Sequence, residues 1–352
     1  MANIHEVDKN FKIETEIRRE NLRFWDSENA PFKIYGLKRE GKRFCRIPGN
    51  LAKSISDDMY MLHTHTAGGR VRFVTDSSYI AISAKMDGIG KMPHFALTGS
   101  AGFDLYKDEG CGQIYHGTFV PPFDMETGYE SVLEFTDCTE RVITINFPLY
   151  SNVQKLYIGL EEGAVLKPAP EYRYEKPIVY YGSSITQGRC ASRPGNAYQA
   201  IISRLLDGNF INLGFSGNAK GEDAMAEYIS SLEMSVFVMD YDYNAPTVEH
   251  LENTHERMFK KIREKHPKMP IVMLTRPKVH LTDEEKDRMA VVENTFQKTV
   301  KAGDKQVHFI KGSDLIASNL IENATVDNVH PNDSGFVSMA YALYKVLSAV
   351  IC

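Results

Sequence analysis

The second half of the chain alternates apolar segments with amphipathic segments, and this rhythm restricts the fold more than any other feature. After Pro177, short apolar stretches are separated by longer stretches whose apolar residues recur at helical spacing. The apolar stretches read IVYYG, FINLG, SVFVMDY, PIVMLT and VHFI. Strict alternation requires crossover connections, which place helices on both faces of a parallel sheet. We therefore predict that residues 177–352 form an α/β domain with a doubly wound, flavodoxin-like sheet.

The first half of the chain has a different period. Up to about Leu160, apolar and polar residues alternate in short runs separated by turn residues, with no convincing helix. These runs include RVRFVT, YIAISAKM, ESVLEFT, RVITINFP and KLYIGLE. The pattern predicts an antiparallel β-sandwich of jelly-roll type over residues 1–165. A charged, proline-containing segment, residues 166–176, is predicted to link it to the α/β domain, and 352 residues suffice for two cores.

Composition argues against several classes of partner. A net charge of -5 gives no electrostatic reason to expect a nucleic acid or an anionic membrane. The five cysteines are widely spaced and odd in number, which favours free thiols in a reducing compartment. The charged N-terminus lacks the apolar segment of a secretory signal, and Lys345 interrupts the most apolar late segment. We predict a cytoplasmic protein with neither a nucleic-acid nor a membrane partner.

Polar residues follow the predicted parallel strands, where ligands collect in open sheets of this kind. Ser184 comes after the first strand, Gly217 after the second and Asn244 after the third, and Asp327 and His330 precede the last helix. Acyl transfer needs a nucleophile, a base, a group that orients the base, and donors for the oxyanion. The predicted edge of the sheet supplies a candidate for each of these.

The candidate roles follow from side-chain chemistry. A serine hydroxyl is a poor nucleophile until a histidine accepts its proton, and His330 is the candidate base. Asp327 lies three residues earlier and can orient the imidazole. The backbone N–H groups of Ser184 and Gly217 and the side-chain amide of Asn244 are candidate oxyanion donors.

The blocks YGSSITQG, NLGFSGN, DYDYN and DNVHPND resemble, in order and spacing, those of the SGNH hydrolases, also called GDSL-type esterases. The resemblance extends from about Pro177 to the C-terminus. It implies an SGNH hydrolase fold in which Ser184 is the nucleophile, Gly217 and Asn244 complete the oxyanion hole, and Asp327 and His330 complete the triad. It implies no cofactor and no catalytic metal.

The chain departs from the pattern of this family in two places. The Gly-Asp-Ser of the family reads Gly182-Ser183-Ser184, a change that touches no catalytic role. The Gly-x-Asn-Asp of the family reads Asp242-Tyr243-Asn244-Ala245, which weakens the assignment of Asn244. A Gly-x-Ser-x-Gly elbow and a phosphate loop ending in Gly-Lys-Ser/Thr are both absent from the sequence, which disfavours an α/β-hydrolase fold and nucleotide binding.

The arrangement of a β-sandwich ahead of this domain resembles that of bacterial carbohydrate esterases. It implies a serine esterase that removes acyl groups, above all acetyl, from a small-molecule or oligosaccharide ester. An esterase or thioesterase acting on lipid-like or other small acyl esters is one alternative. A carbohydrate-binding protein with an inert hydrolase domain is another, and a homo-oligomer is left open.

Other residues have structural interpretations. His63 and His65 would share one face of a strand, and without a third ligand we interpret them as strand residues rather than a metal site. Asn332 or Asp333 is predicted to cap the last helix. Arg276 follows the fourth predicted strand at the same edge, and its role is left open.

Overall fold

The computed structural model describes residues 15–110 and 112–351 of the chain. The prediction that no secretory signal is present rests partly on residues 1–14, which lie outside the described residues. The strands of the first half are β1 Leu22–Asp26, β2 Lys33–Tyr35, β3 Lys38–Glu40, β4 Arg43–Cys45, β5 Arg70–Thr75, β6 Tyr79–Asp87, β7 Phe103–Asp108, β8 Ile114–Phe119, β9 Gly128–Glu134, β10 Arg141–Asn146, β11 Asn152–Glu161 and β12 Leu166–Lys167.

These strands form antiparallel sheets, as predicted. One sheet has the order β1-β11-β6-β9, and a second has the order β12-β5-β10-β7-β8, with β2 also paired to β5. Strands β3 and β4 form a separate hairpin. Buried side chains from both larger sheets belong to one apolar core, among them Phe73, Ile82, Phe103, Ile145 and Leu156. The period-two pattern of the sequence arises because alternate residues enter this core.

The first half also contains helices, so the prediction of no helix there is wrong. They are α1 Gly49–Ile55, α2 Asp57–Leu62 and α3 Leu97–Ser100. Each is too short to display a full helical period of apolar residues in the sequence. The prediction that His63 and His65 share a strand face is wrong as well, because His63 follows the end of α2 and His65 forms an isolated bridge with Asn152.

The second half contains a parallel sheet, which confirms the predicted α/β domain. Its strands are β13 Tyr174–Gly182, β14 Gly208–Gly214, β15 Val236–Asp240, β16 Ile271–Leu274 and β17 Val307–Ile310. Their order in the sheet is β14-β13-β15-β16-β17, and every neighbouring pair is parallel. This is the flavodoxin-like order, with the chain reversing its winding direction beside the first strand, β13.

Helices cover both faces of this sheet. They are α4 Ser184–Gln187, α5 Tyr198–Leu206, α6 Asp223–Ser230, α7 Val248–Lys265, α8 Asp283–Lys301, α9 Gly312–Leu315 and α10 Asp333–Val350. Buried residues of α5 and α10 pack in one apolar cluster, and those of α6 and α7 pack in a second cluster on the opposite face. Asn332 caps α10 as predicted, since its side-chain oxygen accepts a hydrogen bond from the backbone of Gly335.

The two halves are joined by buried polar contacts. Arg70 on β5 is fully buried and donates hydrogen bonds to the carbonyl of Phe210 and the hydroxyl of Tyr172.

Across the described parts of the chain, no helix combines the length and the apolar character needed to cross a bilayer.

Candidate active site

The serine pair lies where the first parallel strand meets a short helix. Strand β13 ends at Gly182, and Ser183 caps α4 by accepting a hydrogen bond from the backbone of Ile185 at 3.1 Å. A Cβ on Gly182 would overlap the Thr186 hydroxyl and the Asp240 carbonyl, so this turn requires glycine. The tight turn places Ser184 at the first position of α4, at the carboxyl edge of the sheet.

The structure brings the predicted serine, histidine and aspartate into one hydrogen-bonded row. The Oγ of Ser184 lies 3.0 Å from Nε2 of His330, and Nδ1 of His330 lies 2.7 Å from Oδ2 of Asp327. A carboxylate only accepts hydrogen bonds, so Nδ1 carries the imidazole proton and Nε2 is free to accept the proton of Ser184. The geometry is that of a nucleophile, a base and a group that orients the base.

The loop before α10 holds this row in place. Oδ1 of Asp327 accepts hydrogen bonds from the backbone N–H groups of Val329 and His330, at 3.1 and 2.7 Å. Burial opposes ionisation of Asp327, but the backbone and imidazole of His330 outweigh it and lower the pKa of this carboxyl. The pKa of His330 is also lowered, first by burial and then by the charge of Arg189, against the opposing effect of Asp327. The imidazole is therefore neutral, and able to act as a base, at neutral pH.

The predicted oxyanion donors follow the neighbouring strands. Gly217 has a φ of 70°, and its exposed position follows β14. The side-chain amide of Asn244 donates a hydrogen bond to the carbonyl of Phe215 at 2.9 Å, which leaves its second N–H free of that contact. The bond joins the loop after β15 to the loop that carries Gly217. As the first residue of α4, Ser184 has no intrahelical acceptor for its backbone N–H. Their roles in binding an oxyanion stay predictions.

Sequence reasoning missed several residues beside His330. The ring of His94, from the N-terminal half, lies 6.1 Å from that of His330, and Nε of Arg189 donates to Nε2 of His94 at 3.1 Å. Arg189 follows the motif of the nucleophile directly, so its position could have been inferred once a one-turn helix was assumed. His94 gave no comparable signal, because 90 residues separate it from Ser184.

One group near the row has the composition of a metal site. Ligand atoms of His94, Cys190 and His330 all lie within 4.8 Å of one another. Burial raises the pKa of the Cys190 thiol to about 11, with the charge of Asp327 adding to the effect, so the thiol is protonated at neutral pH. The guanidinium of Arg189 also contacts His94 and disfavours a cation there. Nε2 of His94 contacts Arg189, and both ring nitrogens of His330 are engaged by Ser184 and Asp327, so these residues fit a metal ion poorly.

Residues of the N-terminal half also hold helix α4, which begins at Ser184. The hydroxyl of Tyr150 donates to the carbonyl of Ser184 at 3.4 Å. The side-chain amide of Gln187 lies 3.1 Å from Nδ1 of His65 and donates to the carbonyl of Leu149 at 3.2 Å. The oxygen of the same amide accepts from the backbone of Ser216, so α4 is tied both to the N-terminal half and to the loop after β14.

Arg276 is buried and paired with a carboxylate. Its guanidinium pairs with Glu285 at 2.7 Å, and Lys278 pairs with the same carboxylate at 2.9 Å. Both cations belong to a local ion-pair network at the start of α8.

The flavodoxin-like sheet and the row of serine, histidine and aspartate at its carboxyl edge define the class of SGNH hydrolases. Comparison of the sequence with family models supports this class: residues 175–348 match the GDSL-like lipase/acylhydrolase family. Residues 22–166 match a family described as the N-terminus of SGNH-hydrolase-type esterases. The chain therefore belongs to the GDSL-like lipase/acylhydrolase family of SGNH hydrolases, with the N-terminal domain of such esterases ahead of it.

Solved structures show the same two-part architecture. A protein designated a GDSL-like lipase from Bacteroides ovatus is 27% identical, with a TM-score of 0.84 over 94% of this chain and 98% of that one. The salicylyl-acyltransferase SsfX3 is 20% identical, with a TM-score of 0.76 over the same shares. A family two carbohydrate esterase from Cellvibrio japonicus is 13% identical, with a TM-score of 0.61 over the same shares. No curated protein matches the chain in sequence.

Proposed function

We propose that this protein is a serine esterase in which Ser184, His330 and Asp327 form the catalytic triad. The observation that carries the proposal is the hydrogen-bonded row in which Ser184 Oγ lies 3.0 Å from His330 Nε2, and His330 Nδ1 lies 2.7 Å from Asp327. In this arrangement the proton of the hydroxyl has an acceptor, and the imidazolium that forms has a carboxylate beside it.

The reaction has two steps, acylation of Ser184 and hydrolysis of the acyl-enzyme. Ser184 attacks the ester carbonyl as His330 takes its proton, and the imidazolium then protonates the departing alcohol. Water, activated by the same imidazole, next attacks the acyl-enzyme and releases the acid and the free Ser184. The oxyanion is bound in both steps by the backbone N–H groups of Ser184 and Gly217 and by the amide of Asn244. Each donor contributes a factor of about 10² or more in rate.

For the substrate, we propose an acylated, above all acetylated, carbohydrate or glycoside. Support comes from the two-part architecture, which the chain shares with a carbohydrate esterase from Cellvibrio japonicus over nearly its whole length. An N-terminal half that contacts α4 and contributes His94 beside His330 is suited to form one side of a binding surface for the alcohol part of the ester.

The test is acetate release from a panel of acetylated sugars and from 4-nitrophenyl acetate. Ser184→Ala and His330→Ala should each lower kcat/KM by several orders of magnitude, as expected for members of one triad. Ser231→Ala, an exposed serine at the end of α6, is the matched control and should keep the activity of the unmodified protein. Undiminished hydrolysis by Ser184→Ala would refute the assignment of the nucleophile. Faster hydrolysis of octanoyl than of acetyl esters would refute the substrate class.

A further inference from the structure

We propose that Arg189 binds an anionic group of the substrate, so that the preferred esters carry a carboxylate close to the ester bond. This inference rests on the proposed esterase function and names a chemical class within it. The observation behind it is that the guanidinium of Arg189 lies near the row of Ser184, His330 and Asp327 and has no carboxylate partner in the described part of the chain.

The polar contacts of Arg189 leave most of its donors unused. Its side chain is half-buried, and its Nε donates to Nε2 of His94 at 3.1 Å. Among the described residues no carboxylate lies within ion-pair distance of it, and its two amino groups have no acceptor while remaining accessible to solvent. A guanidinium has five N–H donors in a rigid fork that matches a carboxylate, so four of them are available to a ligand.

Most other partly or fully buried arginines of the same half have a carboxylate partner, whereas Arg204 lies over the ring of Tyr106 instead. Arg193 pairs with Asp104 at 3.0 Å, Arg276 with Glu285 at 2.7 Å and Arg288 with Glu284 at 2.8 Å. Withdrawing a cation from water is costly unless a partner compensates it. Arg204 packs on an aromatic ring, whereas among the described residues the polar contact of the Arg189 guanidinium is with His94, which lies beside His330.

The backbone directs Arg189 to this place. Gly188 and Cys190, on either side of it, have φ angles of 98° and 74°. The N–H of Arg189 donates to the carbonyl of Ser184 at 2.9 Å, which folds the chain back along α4. A left-handed conformation at a non-glycine residue such as Cys190 costs on the order of 1 kcal/mol or more, and such costs concentrate at functional sites.

The charge of Arg189 reaches the catalytic base, since it contributes to the lowered pKa of His330. The Nε of Arg189 also contacts Nε2 of His94, and a ring nitrogen of His94 lies within 4.8 Å of one of His330, so a carboxylate that binds Arg189 sits close to the reacting ester. The carboxylate can belong to the alcohol part of the ester, as in a uronic acid, or to the acyl part, as in a dicarboxylic half-ester. Both sources present the same group to the guanidinium, and matched pairs of esters distinguish them.

The experiment compares such pairs at pH 8, where His330 is neutral. The first pair is monoacetylated methyl glucoside and monoacetylated methyl glucuronoside, and the second is 4-nitrophenyl butyrate and 4-nitrophenyl hemisuccinate with the uncatalysed rate subtracted. The unmodified protein should prefer the carboxylate member of one pair. Arg189→Gln should lower the ratio of kcat/KM for that member to kcat/KM for the neutral member by about 10- to 100-fold, the range for a charge-assisted hydrogen bond.

Lys305→Gln is the matched control, because it removes one positive charge from an exposed site before β17, at the opposite edge of the sheet. It should change neither member of the pair. Equal losses for both members in Arg189→Gln, or the absence of any preference in the unmodified protein, would overturn the inference while neutral-ester hydrolysis still supports the esterase.

Binding provides an independent readout if turnover is undetectable. Calorimetry with the Ser184→Ala protein should show tighter binding of the carboxylate member than of the neutral member in one of the two pairs. Adding Arg189→Gln to this protein should abolish the difference. Equal affinities within both pairs in the Ser184→Ala protein would overturn the inference without reference to catalysis.

Discussion

The position of Ser184, the proposed nucleophile, depends on a residue with no side chain. Gly182 lies against Thr186 and the Asp240 carbonyl, where even a Cβ has no room. Gly217 is the opposite case: its φ of 70° favours glycine, but a Cβ there would meet no atom within 4 Å. The first glycine is required by packing and the second by backbone conformation alone.

We expect Gly182→Ala to displace α4 and to lower kcat by more than 100-fold, because a misplacement of about 1 Å can cost that much. Gly217→Ala should cost about 1 kcal/mol of stability from its left-handed backbone, with a smaller loss of kcat. Steady-state kinetics and denaturant unfolding of both variants measure this contrast. A Gly182→Ala protein with normal kcat would show that the turn tolerates more than the structure allows.

The pH dependence of activity should report the environment of His330. Burial and Arg189 lower the pKa of this imidazole, so its basic form persists to a lower pH than that of an ordinary histidine. The acid limb of kcat/KM is expected below about pH 6.5. Replacing Arg189 by Gln removes a positive charge and should move this limb to higher pH. A limb that stays fixed in Arg189→Gln, measured with a neutral ester, would contradict this electrostatic picture.

At the scale of elements, helix α4 is held by a buried carboxyl at the end of β15. Oδ2 of Asp240 accepts a hydrogen bond from the Thr186 hydroxyl at 2.8 Å. Burial, followed by the nearby Asp242 carboxyl, raises the pKa of Asp240 to about 8, so this carboxyl is largely neutral in the folded protein below that pH. In the unfolded chain an aspartate ionises near pH 4.

A stability change with pH follows from this difference. Because the pKa of Asp240 is higher in the folded state, its contribution to the free energy of unfolding is complete below about pH 4. This stabilisation is lost as the pH rises from about 4 to 8, at up to about 1.4 kcal/mol per pH unit. Asp240→Asn keeps an acceptor for Thr186 and removes the titration. We expect its free energy of unfolding, relative to the unmodified protein, to increase between pH 5 and pH 8. A constant difference across that range would show that Asp240 stays ionised.

The elements of the second half could be predicted because their patterns are local. The predicted strand VHFI coincides with β17, and the amphipathic stretch predicted between PIVMLT and VHFI contains α8. Burial on both faces of the sheet and on one face of the helix determines which residues are apolar. The short helices α1 and α2 could not be recognised, because one or two turns display no period. Their stability depends on packing against the second half, where Ala52 and Met59 join the core beside β14.

The residues of the candidate site also fall into a predictable group and an unpredictable group. Ser184, Asp327 and His330 could be placed together because parallel strands bring their carboxyl ends to one edge, and the loop before α10 reaches that edge. His94 and Tyr150 could not be placed there, since their positions depend on how the N-terminal half docks. The sequence placed Asn244 at the carboxyl edge of the sheet. Its hydrogen bond to the carbonyl of Phe215 depends on loop geometry that no local sequence pattern reveals.

At the scale of the whole molecule, the N-terminal half is part of the support of the site. Arg46, which follows β4, is fully buried and donates hydrogen bonds to the carbonyls of Leu62 and Gly214. Its guanidinium lies 4.3 Å from the centre of the Phe215 ring. Burial lowers its pKa to about 9, which still leaves it charged at neutral pH. One cation from the N-terminal half thereby fixes the start of the loop that carries Gly217.

We expect Arg46→Met to lower both stability and activity, because methionine fills the space but removes the side-chain donor to the buried Gly214 carbonyl and one of the two donors to the Leu62 carbonyl, which keeps the backbone N–H of His65. The loss of stability should be about 2 to 4 kcal/mol by denaturant unfolding. Since the Phe215 carbonyl also anchors Asn244, the released loop should misplace two predicted oxyanion donors, and kcat should fall by about 10-fold or more at a temperature where the variant is fully folded. Arg173→Met, which alters an exposed arginine before β13, serves as the matched control. A stable fold with unchanged kcat in Arg46→Met would mean that the second half of the chain positions the loop carrying Gly217 without help from the N-terminal half.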